Sequence, residues 1–226
     1  MADFEVKQDS YPASPDAAQV AVRASRRNEA ISPDYFQQWV AEGRVFIASQ
    51  AAIETARDIG ALIYASTEPA IAVDVPTGTT MIPLEIEIQQ GGTVANATVA
   101  YHTALFTLDD KVRITSGTAV TPRNLRISAT EPRTSKCTIK IHDESGTDLL
   151  CAANAEDNTF YGGLVHSDLD GLGGAQCRWS CKKFIPGVLK GPAALCCYLY
   201  GGTSARPEAF WHLIWAEFDT DELWTP

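Results

Sequence analysis

The histidines are the first side chains in this chain to consider for catalysis, because imidazole is the usual acid–base group near neutral pH. They are His102, His142, His166 and His212. None lies in a Gly-x-Ser-x-Gly or His-Glu-x-x-His pattern. His142 leads into a polar turn, and His212 lies in a tryptophan-rich run, where a packed or interface histidine is expected. We therefore predict no catalytic residues and no enzymatic activity.

Six cysteines are the next candidates, as metal ligands or as disulfide partners: Cys137, Cys151, Cys177, Cys181, Cys196 and Cys197. The spacing of Cys177 and Cys181 suits a zinc ligand pair. The adjacent Cys196 and Cys197 would point to opposite faces of a strand and could not bind one ion together. Zinc, or a disulfide such as Cys177–Cys181, remains the alternative. We expect small buried hydrophobic side chains, no metal and no cofactor.

Carboxylates supply one further pattern, in the alternating segment 81–90. Leu84, Ile86 and Ile88 are expected to point inward, and Glu85 and Glu87 outward. Two carboxylates on one strand resemble the pair used by glycosidases. Solvent-facing carboxylates are common on strands, so this pattern is interpreted as an exposed strand face.

Composition narrows the class of partner. The chain has 226 residues, 45% hydrophobic residues and a net charge of −10. This acidic balance argues against non-specific binding to nucleic acid or to an anionic membrane. The sequence has no apolar run long enough for a transmembrane helix and no basic and apolar start typical of a secretion signal. We expect synthesis in a cytosol.

The elements that position these residues begin with an N-terminal arm and short helix over residues 1–43, followed by a β domain over residues 44–226. The arm carries a local basic cluster, Arg23, Arg26 and Arg27, which is either a solvated face or a docking site for another copy of the chain. Ser32 to Gly43 predicts a helix, with Ser32 as N-cap and Gly43 after its end. Tyr35 and Trp39 belong to its apolar stripe and are candidate contact residues.

Short β-forming runs separated by turn signals fill the rest of the chain, which is typical of an antiparallel sandwich, a jelly roll or a barrel. The predicted strands are 44–49, 61–65, 70–75, 81–90, 93–107, 111–114, 124–129, 137–142, 149–153, 159–166, 176–184, 193–200 and 209–218.

The last two of these runs contain the densest apolar area. Residues 193–200 and 209–218 flank a Gly-Gly connection, which predicts a β-hairpin at the centre of the sandwich. Trp211 and Trp215 lie in its second arm, and they are expected either in the core or in a subunit contact.

Several segments resemble jelly-roll virion structural proteins of bacteriophages, of the type that cements or decorates capsids. The resemblance spans roughly residues 40–220, and its segments are 43–49, 79–84, 121–126 and 200–218. It implies a homo-oligomer, commonly a trimer, associated with a major capsid protein in a virion assembled in the host cytoplasm. It carries over no catalytic residue. The acidic composition separately argues against nucleic acid and membrane as partners.

We therefore predict an all-β antiparallel β-sandwich or jelly roll, preceded by an extended arm and a short helix. The expected function is a capsid cement or decoration subunit that bridges capsid subunits. The alternatives are a jelly-roll major capsid or spike subunit, and a carbohydrate- or receptor-binding β-sandwich module. The expected contact residues are Arg23, Arg26, Arg27, Tyr35, Trp39, Trp211 and Trp215.

Overall fold

Two antiparallel sheets packed face to face make up the β domain, as the alternating apolar pattern predicts. A computed structural model describes residues 35–49, 57–61, 63–90, 101–127, 133–142, 148–152, 158–166, 176–184, 187–200 and 208–223. The helices are α1 (Tyr35–Ala41) and α2 (Thr220–Leu223). The strands are β1 (Val45–Ser49), β2 (Arg57–Asp58), β3 (Ile71–Val75), β4 (Thr79–Gln90), β5 (Tyr101–Asp109), β6 (Thr118–Val120), β7 (Arg123–Asn124), β8 (Thr138–Ile141), β9 (Asn158–His166), β10 (Gln176–Ser180), β11 (Leu189–Lys190), β12 (Ala193–Tyr200) and β13 (Glu208–Asp219).

The strand order is that of a jelly roll. The seven-stranded sheet has the order β10-β4-β13-β1-β7, with β11 paired to β4 and β2 paired to β13. The six-stranded sheet has the order β6-β8-β3-β12-β5-β9. Eight strands form the jelly roll, and in chain order they are β1, β3, β4, β5, β9, β10, β12 and β13. Strands 1, 8, 3 and 6 of this series (β1, β13, β4 and β10) lie side by side in one sheet. Strands 2, 7, 4 and 5 (β3, β12, β5 and β9) lie side by side in the other, so the chain crosses between the sheets as two Greek keys do. The predicted fold class is confirmed.

The predicted hairpin of β12 and β13 is wrong. β12 pairs with β3 and β5, whereas β13 pairs with β4 and β1 in the opposite sheet. Seven of the eight residues of β12 are buried, which is typical of a central strand covered on both faces. Such a strand needs a neighbour on each side, and here strands distant in the chain supply both neighbours.

The core between the sheets contains the large aromatic side chains of both. Trp215 and Phe46 are fully buried, and their ring centroids lie 6.0 Å apart. Phe160 packs edge-on against Trp179, with ring centroids 5.4 Å apart. Rings of this size bury on the order of 150–250 Å² each, so each one removes a large apolar area from water.

A β-bulge in β4 moves one side chain that was expected in this core. Ile214 pairs with Glu85, and the next residue, Trp215, pairs with Pro83, so Leu84 is the additional residue. Ile86 lies in the core as predicted, but Leu84 packs with Phe218 on the outer face of the seven-stranded sheet. The prediction that Leu84 points into the core is therefore wrong.

Helix α1 covers this outer apolar area. Its side chains Phe36, Trp39 and Val40 pack there, and the centroids of the Trp39 and Phe218 rings lie 5.1 Å apart. Gly43 has a φ of 72° and follows the helix end as predicted, because glycine adopts this left-handed conformation at low cost. The predicted N-cap, Ser32, lies outside the described residues.

Two predicted strands in the segment between β5 and β9 are not strands in the structure. Segments 111–114 and 149–153 were predicted as strands, but their described residues contribute only an isolated bridge between Ile114 and Cys151. The Asp74 carboxylate accepts hydrogen bonds from the backbone N–H groups of Arg113, at 2.8 Å, and Ile114, at 3.1 Å. A side chain thus takes the place of a neighbouring strand. Among the described residues of the predicted strand 61–65, only Ala61 forms a bridge. Among those of the predicted strand 124–129, only Asn124 belongs to a strand, β7.

Candidate functional site

Four polar side chains lie together on the outer face of the seven-stranded sheet, beside the area covered by α1. Glu85 and Glu87 come from β4, Arg178 from β10 and His212 from β13. Glu87 pairs directly with Arg178 on one side and with His212 on the other. Glu85, two residues away, points to the same face because side chains alternate along a strand. We call these four residues the polar cluster.

The polar cluster is held together by ion pairs and hydrogen bonds. Arg178 Nη2 lies 2.7 Å from Glu85 Oε1, and Arg178 Nε lies 3.5 Å from Glu87 Oε2. His212 Nε2 lies 3.0 Å from Glu85 Oε1 and 3.8 Å from Glu87 Oε2. The side chains of Glu87, Glu85 and His212 are 16%, 22% and 30% exposed, so the cluster is half-buried and open to solvent on one side.

An apolar cavity of about 170 Å³ lies between α1 and the sheet, next to the polar cluster. Glu85 belongs to both features, since its carboxylate joins the cluster and its side chain lines the cavity. The ammonium group of Lys182 lies 5.6 Å from the centre of the Phe36 ring at the cavity wall. The cavity lining is Phe36, Val40, Val45, Leu84, Glu85, Leu125, Ser180, Cys181, Lys182 and Ile214.

The polar cluster combines two chemical capacities. Its carboxylates and imidazole offer donor atoms for a cation, and its guanidinium offers a fork for a carboxylate or phosphate. Among the described residues, Glu85, Glu87 and His212 are the three potential metal ligands whose donor atoms lie within 4.8 Å of one another.

The sequence predicted part of this arrangement. The outward direction of Glu85 and Glu87 is confirmed. His212 was expected to be a packed or interface histidine. It lies on the partly exposed outer face, within hydrogen-bonding distance of Glu85, and its part in an interface stays a prediction. Arg178 was not singled out. Its position between the buried Cys177 and Trp179 marks it as outward-facing, but no sequence signal identifies Glu87 as its neighbour.

The residues expected to make contacts have different positions in the structure. Trp211 and Trp215 were expected either in the core or in a subunit contact. They are 3% and 0% exposed, so they lie in the core. Trp39 packs on the sheet through Phe218, whereas Tyr35 is 57% exposed. The expected contacts Arg23, Arg26 and Arg27 lie outside the described residues.

Five of the six cysteines are buried, as expected for small hydrophobic side chains, and Cys181 is partly exposed. Cys197 lies in the core between the sheets and Cys196 on the other face of β12, so the predicted opposite directions are confirmed. Burial raises the pKa of Cys177 to about 11 and raises that of Cys197 further. Such thiols stay protonated near neutral pH and are poor nucleophiles.

A second polar group, on the outer face of the six-stranded sheet, is fully buried. Arg113 lies 3.2 Å from Asp109, and each side chain is 2% exposed. Arg113 also donates hydrogen bonds to Tyr198 Oη at 3.0 Å, to the Ser66 carbonyl at 2.8 Å and to the Ala152 carbonyl at 2.9 Å. Ser66 and Ala152 lie outside the strands and Tyr198 lies in β12, so this buried network connects loops to the sheet.

In the part of the chain that the structure describes, neither helix is long and apolar enough to cross a membrane.

Comparisons with known proteins add no relative. No protein-family model matches the chain, and no significant match exists among the curated proteins or the solved structures.

Proposed function

We propose that this protein is a virion structural subunit of a bacteriophage, of the cement or decoration type, which stabilises the shell by bridging major capsid proteins. The jelly-roll strand order of the two sheets is the observation that carries the proposal, because double-sheet jelly rolls are a common architecture of viral capsid proteins. The same architecture also occurs in lectins and cupins, so fold alone does not assign the function.

The position of the tryptophans favours the structural role over sugar binding. A carbohydrate-binding face needs exposed rings on which a sugar can stack. Trp179, Trp211 and Trp215 are at most 3% exposed, so sugar stacking on β10 or β13 through these rings is excluded. Their apolar area stabilises the sandwich itself.

Exposed apolar side chains support a role in assembly. Ile127 is 97% exposed, Ile63 76% and Tyr35 57%. Isolated exposed apolar residues are ordinary, but large ones on the surface of a shell subunit are available for contacts with neighbours. The net charge of −10 suits the outside of a particle rather than a surface that faces packaged DNA.

Two experiments test the proposal. Light scattering after size-exclusion chromatography should give three times the chain mass of 24.4 kDa if the protein is the expected trimer. Cryo-electron microscopy of particles from the virus that encodes the chain should show the jelly roll bound over contacts between major capsid proteins. A stable monomer that is missing from purified particles would refute the structural role.

The carbohydrate-binding alternative depends on a different surface. Tyr64 is 42% exposed, and its ring centroid lies 5.2 Å from that of Tyr198 and 5.4 Å from that of Tyr200. Glycan-array binding that disappears in a Tyr64→Ala variant would favour a receptor-binding module. Absence of binding to any glycan would favour the cement role.

A further inference from the structure

We infer that Glu85, Glu87 and His212 form a binding site for a divalent transition-metal ion of the zinc type. The site lies on the outer face of the seven-stranded sheet and uses three of the four residues of the polar cluster. The inference is independent of the capsid role, since it depends only on the geometry of these side chains.

The distances between donor atoms fit one ion. His212 Nε2 lies 3.0 Å from Glu85 Oε1 and 3.8 Å from Glu87 Oε2. Two ligands of a tetrahedral zinc ion with bonds of 2.0–2.1 Å are separated by about 3.3 Å. The two separations from His212 bracket that value, and all three donor atoms lie within 4.8 Å of one another. Rotations of the side chains would bring the three donors to bonding distance.

The sheet pre-organises the site. Glu87 pairs directly with His212, and both belong to long strands at the centre of the sheet. Glu85 lies on the same face as Glu87 because the bulge at Leu84 comes before both residues and leaves the 85–87 alternation intact. Ligands held by paired strands lose little backbone entropy when they bind an ion.

The donor set selects the class of ion. Calcium and magnesium prefer oxygen ligands alone, whereas imidazole together with carboxylate suits zinc and its first-row neighbours. Three protein ligands leave at least one coordination position open, and this site is partly exposed. Water, or a donor atom from another molecule, would complete the coordination.

Arg178 is the counter-ion that such a metal displaces. Its guanidinium now pairs with both carboxylates, but its side chain is 51% exposed, and exposed ion pairs contribute little to stability. A divalent ion would neutralise the two carboxylates, and Arg178 could then extend into solvent. This competition predicts that removal of Arg178 strengthens metal binding.

Isothermal titration of the full chain with zinc chloride, in a buffer that does not chelate zinc, tests the site. The wild type should bind one ion per chain. His212→Ala should weaken binding about 100-fold, since loss of even an outer-shell partner costs 10–100-fold in metal affinity. Arg178→Ala should tighten binding. Glu208→Gln, on the exposed start of the same strand, is the matched control and should leave it unchanged.

Cys181 provides the competing explanation, because it is the least buried thiol and borders the neighbouring cavity. Cys181→Ser should bind zinc as the wild type does. Cobalt(II) added to the wild-type protein gives a readout that does not depend on how any variant folds. A spectrum without a thiolate charge-transfer band supports the histidine–carboxylate site. No binding by the wild type, unchanged binding in His212→Ala, or a thiolate band would overturn the inference.

Discussion

Replacement of Arg113 by Met is expected to destabilise the protein more than any change to a surface arginine. The side chains of Arg113 and Asp109 are each 2% exposed and lie 3.2 Å apart. Met fills much of the volume of the arginine stem but leaves the Asp109 carboxylate buried without its counter-ion. Breaking a buried ion pair in this way costs about 3–5 kcal/mol.

This cost is large for a domain whose total stability is expected to be about 5–15 kcal/mol. Urea unfolding followed by tryptophan fluorescence measures it directly. Arg123→Ala is the matched control, because Arg123 is exposed on a short edge strand and its removal should change the free energy of unfolding by no more than about 0.5 kcal/mol.

The double variant Arg113→Met with Asp109→Asn separates the charge from the packing. It removes the unpaired carboxylate, so much of the lost stability should return, and the two changes should be strongly non-additive. A loss below about 1 kcal/mol in Arg113→Met would refute the buried-pair reasoning. A double variant no more stable than that single variant would refute it as well.

Three further predictions concern the core, the acid response and the thiols. Trp215→Ala removes a fully buried ring and should cost about 3–5 kcal/mol in urea unfolding; a loss typical of surface changes would contradict its core position. The hydrogen bond from Arg44 lowers the pKa of Glu222 below its ordinary value of 4.5, so its stabilising effect is present above that pH and lost as the pH falls through the folded-state pKa. The melting temperature of wild type should therefore fall more between about pH 5 and pH 3 than that of Glu222→Gln, and parallel curves would contradict this. A thiol reagent should label one cysteine rapidly in the native protein and none in Cys181→Ser, because Cys177 and the other thiols are buried; rapid labelling of several thiols in that variant would contradict their burial.

The local patterns of the sequence were sufficient to predict most of the main strands and the short helix. Alternation in 81–90 reflects one buried and one exposed face, and the glycine at 43 has the positive φ that ends α1. The aromatic run at 209–218 was expected in the core because so much apolar area must be buried, and Trp211 and Trp215 are. These predictions succeeded because each depends on the residues of one segment.

The pairing of the strands could not be predicted in this way. β12 and β13 are consecutive in the chain and were predicted as a hairpin, yet they lie in opposite sheets. Each is a central strand whose neighbours come from distant segments, and no local signal distinguishes a turn between paired strands from a crossing between sheets. The bulge at Leu84 depends in the same way on the register with Trp215.

The candidate site shows the same difference between features that depend on one segment and features that depend on strand pairing. The sequence alone predicted the outward direction of Glu85 and Glu87 and the jelly-roll class, since both follow from alternation and strand spacing. Only the tertiary structure brought His212 to within 3.0 Å of Glu85, because β4 and β13 are separated by more than a hundred residues and meet through the sheet topology. Strand residues acquire their lateral neighbours from the fold, and for that reason the composition of this cluster was decided by the tertiary structure.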